Sequence, residues 1–158
     1  MNIARTAMIV AGLSLVGLTT LNWSNAQQAS TGTDIKWSMT DYAFKPVQTK
    51  LKAGVPVKIT VTNDGKEEHE FYVYEMPKTE PKDWEKHAIT KTFFKDIGEV
   101  KVYANGVKVA GHSMFEFVLQ TGQNLRLEFT PTRKGTFQIG CHLPGHYENG
   151  MKATLVVE

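Results

Sequence analysis

Thr136-Phe137-Gln138-Ile139-Gly140-Cys141-His142-Leu143-Pro144-Gly145-His146-Tyr147-Glu148-Asn149-Gly150-Met151-Lys152-Ala153-Thr154-Leu155-Val156-Val157 decides how this chain folds. Strand periodicity places Phe137, Ile139 and Cys141 on one face, so the thiol points the same way as the apolar side chains. At the far end Met151, Ala153, Leu155 and Val157 share a parity, and the thioether leads into the inward face of a second strand. Pro144-Gly145 and Gly150 bend the chain between the two. Two strands of one apolar interior are therefore joined by a short loop with sulfur at both ends and His146 in the middle.

A thiolate, an imidazole and a thioether within eleven residues can serve one ion only if that ion accepts sulfur and nitrogen together. Copper fits best, because thiolate and thioether suit its reduced state and imidazole also suits its oxidised state. Zinc takes Cys and His but has little use for Met. The loop supplies one well-placed histidine, so a second nitrogen has to come from elsewhere. In His69-Glu70-Phe71-Tyr72-Val73-Tyr74 the imidazole shares its parity with Phe71 and Val73, at the start of the inward face of a strand. Taken alone, it reads as a core histidine satisfied by backbone; beside a partial ligand set it becomes the best candidate. His112 lies opposite in parity to Phe115, Phe117 and Leu119, His142 follows Cys141 directly and points away, and His87 falls in a stretch of helical pattern.

The chain has 158 residues, a formal net charge of +2 and a single cysteine. Arg5, the apolar run from Ala7 to Leu18 and Ser24-Asn25-Ala26 form an export signal, with cleavage expected after Ala26. The run is too short for a spanning helix, so no stable membrane insertion is expected. The expected organisation is a signal peptide over 1–26, a flexible lead-in over 27–34 and one domain over 35–158, in the periplasm. Nothing in the charge balance calls for nucleic acid as a partner. A lone thiol in an oxidising compartment excludes an internal disulfide and favours ligation.

Along the chain, Ile35, Trp37 and Met39 alternate as a first strand, and Asp41 to Pro46 reads as a bend. Leu51-Lys52-Ala53-Gly54 is a turn. Val55, Val57, Ile59 and Val61 give the clearest strand, closed by Asn63-Asp64-Gly65. About Thr79 to Asp96 the pattern turns helical, with Thr79 as the candidate cap. Asn105-Gly106 between Val100–Ala104 and Val107–Val109 is a strong hairpin signal. Ser113–Leu119 and Leu125–Phe129 are further strands. The sum is an all-β sandwich of about eight strands with one short helical insertion.

Asp41 to Pro46, Lys52-Ala53-Gly54, Val61 to Gly65, His69-Glu70-Phe71 and Cys141 to Val157 follow the order of elements in the cupredoxin family of type 1 blue-copper proteins, which this sequence resembles. Its Cys-x4-His-x4-Met loop, with Pro-Gly before the His, is similar to those of the rusticyanin and auracyanin members. The resemblance implies a cupredoxin-like Greek-key β-sandwich that binds one copper ion per chain, with His69, Cys141 and His146 equatorial and Met151 axial. Many members carry Asn or Ser after the first histidine, where this chain has Glu70. The implied function is an exported one-electron carrier cycling Cu(I) and Cu(II), in which Phe71, Phe137, Ile139 and Leu143 shield the site. Its redox partners would dock on an apolar patch where the ring edge of His146 surfaces, and the protein would be a monomer. Copper buffering or tolerance through the same site is the rival reading. No catalytic residues are expected: copper oxidases and nitrite reductases of this fold need a further centre built from additional histidines, and no His-x-His pair occurs.

Overall fold

A computed structural model describes residues 32–111 and 114–158. The export signal, residues 27–31 of the expected 27–34 lead-in and His112 lie outside these described residues, whereas Thr33 and Asp34 of that lead-in already belong to a strand. The strands are β1 (Thr33–Thr40), β2 (Ala43–Lys45), β3 (Gln48–Leu51), β4 (Val57–Asn63), β5 (His69–Glu75), β6 (Val100–Ala104), β7 (Val107–Gly111), β8 (Glu116–Leu119), β9 (Asn124–Phe129), β10 (Gly135–Gly140) and β11 (Lys152–Val157), with one helix, α1 (Trp84–Thr90). They form two sheets, β2-β1-β4-β9-β6-β7 and β3-β11-β10-β5-β8. The pairs β1–β4 and β3–β11 are parallel and the other strand pairs antiparallel.

The alternation read from the sequence is what holds the sheets face to face. Val57, Ile59 and Val61 of β4 are buried while Lys58 between them is exposed. They meet Phe71, Val73, Phe137, Ile139, Leu155 and Val157 from the other sheet in one core. Trp37 stands edge-on to Phe71, whose ring stacks on Phe117. At Asn105-Gly106 both central residues have positive φ, 49° and 77°, the backbone that a type I′ hairpin requires.

There are eleven strands among the described residues rather than about eight. Ala43–Lys45 and Gln48–Leu51, on either side of Pro46, are strands where the sequence reads as a bend and the approach to a turn. Each is three or four residues long and lies at a sheet edge, where pairing on one side suffices and proline is tolerated. The helix is also shorter than expected. Its cap is Asp83, whose side chain accepts the Lys86 N–H, and not Thr79.

The helix ends at Thr90 because the chain then joins the sheet. Phe93 N–H bonds to the Val73 carbonyl and Glu75 N–H to the Lys91 carbonyl. β8 covers only the first part of the β5 edge, and Lys91–Phe93 covers the rest. Phe93, Phe94 and Ile97 then enter the core. On the outer face of β5, Tyr72 and Tyr74 are buried under Ala88, Trp84 and Ile89. The insertion therefore makes β5 a strand buried on both faces.

Asn63 is the polar counterpart of this packing. Its wholly buried side chain donates to the carbonyls of Glu67 and Leu119, both at 2.8 Å, and accepts from Gly65 N–H at 2.9 Å. It ties the 64–68 turn to β8. Asn63→Ala would leave two carbonyls without their donor, so it should destabilise the apoprotein by about 2 kcal/mol in urea unfolding. An unchanged unfolding midpoint would contradict this role.

Candidate metal centre

Cys141 follows the last residue of β10 and Met151 precedes the first of β11. Those strands pair Gly140 with Lys152, and Cys141 N–H bonds to the Met151 carbonyl at 3.2 Å. The loop is thus closed at its base. Met151 N–H bonds to the His146 carbonyl and His146 N–H to the Leu143 carbonyl, both at 3.0 Å. These bonds hold His146 above the two sulfur residues. Gly145 and Gly150 have φ of 83° and 102°, and both turns sit within this framework.

The structure brings His69, Cys141 and His146 together, and one donor atom from each lies within 4.8 Å of the others. The Nδ1 atoms of His69 and His146 are 3.2 Å apart, and Cys141 Sγ is 3.4 Å from His146 Nδ1. Cys141, His69 and Met151 are wholly buried and His146 is 6% exposed. Met151 packs in the same core cluster as Cys141 and Phe71.

Burial pushes the Cys141 thiol above its ordinary range, while the backbone N–H groups of Glu70 and Leu143 act on the sulfur in the opposite sense. The Glu70 carboxyl is pushed above its ordinary range by burial and by the charge of Glu116. Burial lowers the pKa of His69, opposed by the Asp41 carboxylate. Two imidazoles and a buried thiol gathered at one point make a site that fits copper, the ion served by soft sulfur and imidazole together.

The other two described histidines lie elsewhere. His142 turns to the outer face, where its Nε2 is 3.0 Å from the Tyr74 hydroxyl and its ring stacks on Trp84 and Tyr147; burial pushes its pKa down to about 4. His87 donates to the Glu75 carbonyl from α1. The expected apolar surface around His146 is corrected in one respect. Its Nε2 edge does not surface among apolar groups, because the Glu67 carboxylate lies 3.3 Å away and the Tyr42 ring stands edge-on to it. Leu143 and Tyr147 are half-buried and Pro144 is exposed beside them.

Sequence reasoning missed Asp41, Glu67 and Gly65. Asp41 Oδ1 lies 3.4 Å from His69 Nε2 and accepts the Lys66 N–H at 2.8 Å. That backbone hydrogen bond is the main reason its carboxyl sits below the ordinary carboxylate value. A Cβ on Gly65 would lie 2.5 Å from His69 Nε2 and 2.6 Å from Asp41 Oδ1, so the approach of the two requires glycine there. Asn63-Asp64-Gly65 carries a turn signal, but nothing in its pattern announces which side chains meet across it.

Residues 12–98 match the cupredoxin-like domain, a match that includes His69 and ends before Cys141. The chain is 27% identical to the copper-resistant cuproprotein CopI of Rubrivivax gelatinosus over 72% of its own length and 59% of that protein's, so it spans less than two thirds of that relative. It is 25% identical to the CopI of Pseudomonas aeruginosa over 84% of its own length and 80% of that protein's. Its fold is similar to that of auracyanin from Roseiflexus castenholzii, with a TM-score of 0.53 and 17% identity over 80% of this chain and 98% of that one. The family match spans more than half of the chain, and copper is the cofactor that both the family and the donor chemistry indicate: this chain belongs to the cupredoxin-like family.

Proposed function

We propose that the protein is an exported, periplasmic, monomeric type 1 copper protein that accepts and donates one electron, with His69, Cys141, His146 and Met151 as ligands. The observation that carries this reading is the meeting of two imidazole Nδ1 atoms and one thiol sulfur in a buried pocket. Bound copper supplies one-electron chemistry between its cuprous and cupric states. The chain's own part is to hold the donors in place before any metal arrives and to exclude water from them. Cys141 and His146 are fixed by the hydrogen bonds of a closed loop, and His69 by β5, which has neighbours on both edges and both faces. Phe71, Phe117 and Ile139 fill the space beneath. With four protein ligands no position is left for a substrate, which supports a carrier over an enzyme.

A second reading has an observation of its own. The two CopI relatives carry copper resistance in their names, and the same site could capture copper in a tolerance role. The two uses separate by measurement: a carrier exchanges electrons rapidly with its metal retained, whereas a capture protein is judged by affinity and metal release.

Copper-loaded protein should show an intense visible thiolate-to-copper band, and Cys141→Ser should abolish it. Retention of the band in that variant would contradict the ligand set. Met151→Leu should keep copper and raise the reduction potential, since a thioether in such a site would tune a bound copper more than hold it; loss of copper binding would show that Met151 has another role. Leu143→Lys places a charge on the surface beside His146. It should slow electron self-exchange about 10-fold and leave the spectrum unchanged, and an unaltered rate would exclude this face as the transfer route.

A further inference from the structure

Both imidazoles of the cluster turn Nδ1 toward each other, which leaves each Nε2 on the far side of its ring. Each of these nitrogens meets a carboxylate: His69 Nε2 lies 3.4 Å from Asp41 Oδ1, and His146 Nε2 lies 3.3 Å from Glu67 Oε2. The approach at His69 has the distance of an ion pair without the alignment of a hydrogen bond, and among the described residues no hydrogen-bond partner reaches that buried nitrogen. It is a polar atom in the core with the Asp41 carboxylate beside it.

The arrangement is built by the 63–69 segment. Asn63 holds the Glu67 carbonyl, Lys66 N–H holds the Asp41 carboxylate, and Gly65 leaves the space in which Asp41 and His69 approach. One turn thus sets a carboxylate behind each histidine. Asp41 reaches it from the β1–β2 turn on the neighbouring sheet. Its own partners fix it there, so it is not a surface charge that happens to fall nearby.

We infer that Asp41 and Glu67 are positioning residues that orient the two histidine ligands and tune the metal through them. This rests on the ligand assignment proposed above. With Nδ1 on the metal, the proton of each ring resides on Nε2, and a carboxylate there fixes the tautomer and raises the basicity of the ligand nitrogen. A more basic nitrogen, with a negative charge behind it, favours the divalent over the monovalent ion. The pair therefore lowers the reduction potential relative to a site backed by neutral groups. Asp41 is the stronger of the two, because it is tied down beside a wholly buried ring. The Glu67 side chain is 59% exposed and its charge is screened by salt.

The test is the midpoint potential at pH 7, together with separate Cu(II) and Cu(I) affinities, for wild type, Asp41→Asn and Glu67→Gln. Asparagine keeps an oxygen for Lys66 N–H, and the exposed Glu67 side chain can change without disturbing the fold. In Asp41→Asn the ratio of Cu(II) to Cu(I) affinity should fall about 10-fold, an upward shift of about 59 mV for a one-electron couple. Glu67→Gln should shift the same way by less, with the thiolate band kept in both variants. A potential at the wild-type value in both, or a downward shift in either, would overturn the inference. Absence of the band in the wild type would instead overturn the ligand assignment beneath it.

Discussion

The structure depends on the pairing of the ends of β10 and β11, which places Cys141 and Met151 side by side at the base of a closed loop. Antiparallel register fixes this spacing, and the loop's own hydrogen bonds then leave His146 one position, above the sulfur. The result is a thiol and two imidazoles buried close together. Such a cluster is unfavourable as a permanent feature of an apolar core, since burial suppresses the charged form of the thiol and leaves polar nitrogens with few partners. A bound cation removes that conflict by giving the thiolate a counter-charge and each Nδ1 an acceptor for its lone pair. If the proposed one-electron role holds, the same preorganisation would limit how far these donors move when a bound metal changes charge.

The helical insertion gives β5 a second buried face. Without it, Tyr72 and Tyr74 would face solvent and the end of β5 would lack an edge partner. With it, β5 is enclosed by β8 and Lys91–Phe93 on one edge, β10 on the other, the core beneath and α1 above. His69 stands at the beginning of this strand, so its rigidity passes directly to one imidazole of the cluster. The insertion also reaches the loop, where Trp84 packs on His142 and Tyr147. The residues that follow Cys141 and His146 in the chain are therefore both held from outside.

Much of this was legible in the sequence where a period carried the information. Parity alone put Cys141, Met151 and His69 on inward faces and turned His142 outward, and Asn105-Gly106 announced its hairpin. The failures share a cause. The short edge strands Ala43–Lys45 and Gln48–Leu51 are too brief for alternation to register, and Pro46 between them reads as a break. Thr79 and Asp83 are both acceptable caps, and the choice is made by where Trp84 and Ala88 can bury against Tyr74, a tertiary matter. Asp41 and Glu67 sit in turns, where no period exists. Their role follows from which turns meet in space, and the two turns are joined where Lys66 N–H bonds to the Asp41 carboxylate across 25 residues.

In the proposed centre one sulfur and two imidazole nitrogens of this chain converge on a single metal ion. Copper K-edge X-ray absorption on the copper-loaded protein counts these donors directly. The wild-type protein should give one short copper–sulfur bond and two imidazole nitrogens, and Cys141→Ser no short copper–sulfur bond. A first coordination sphere of nitrogen and oxygen alone in the wild-type protein would contradict it.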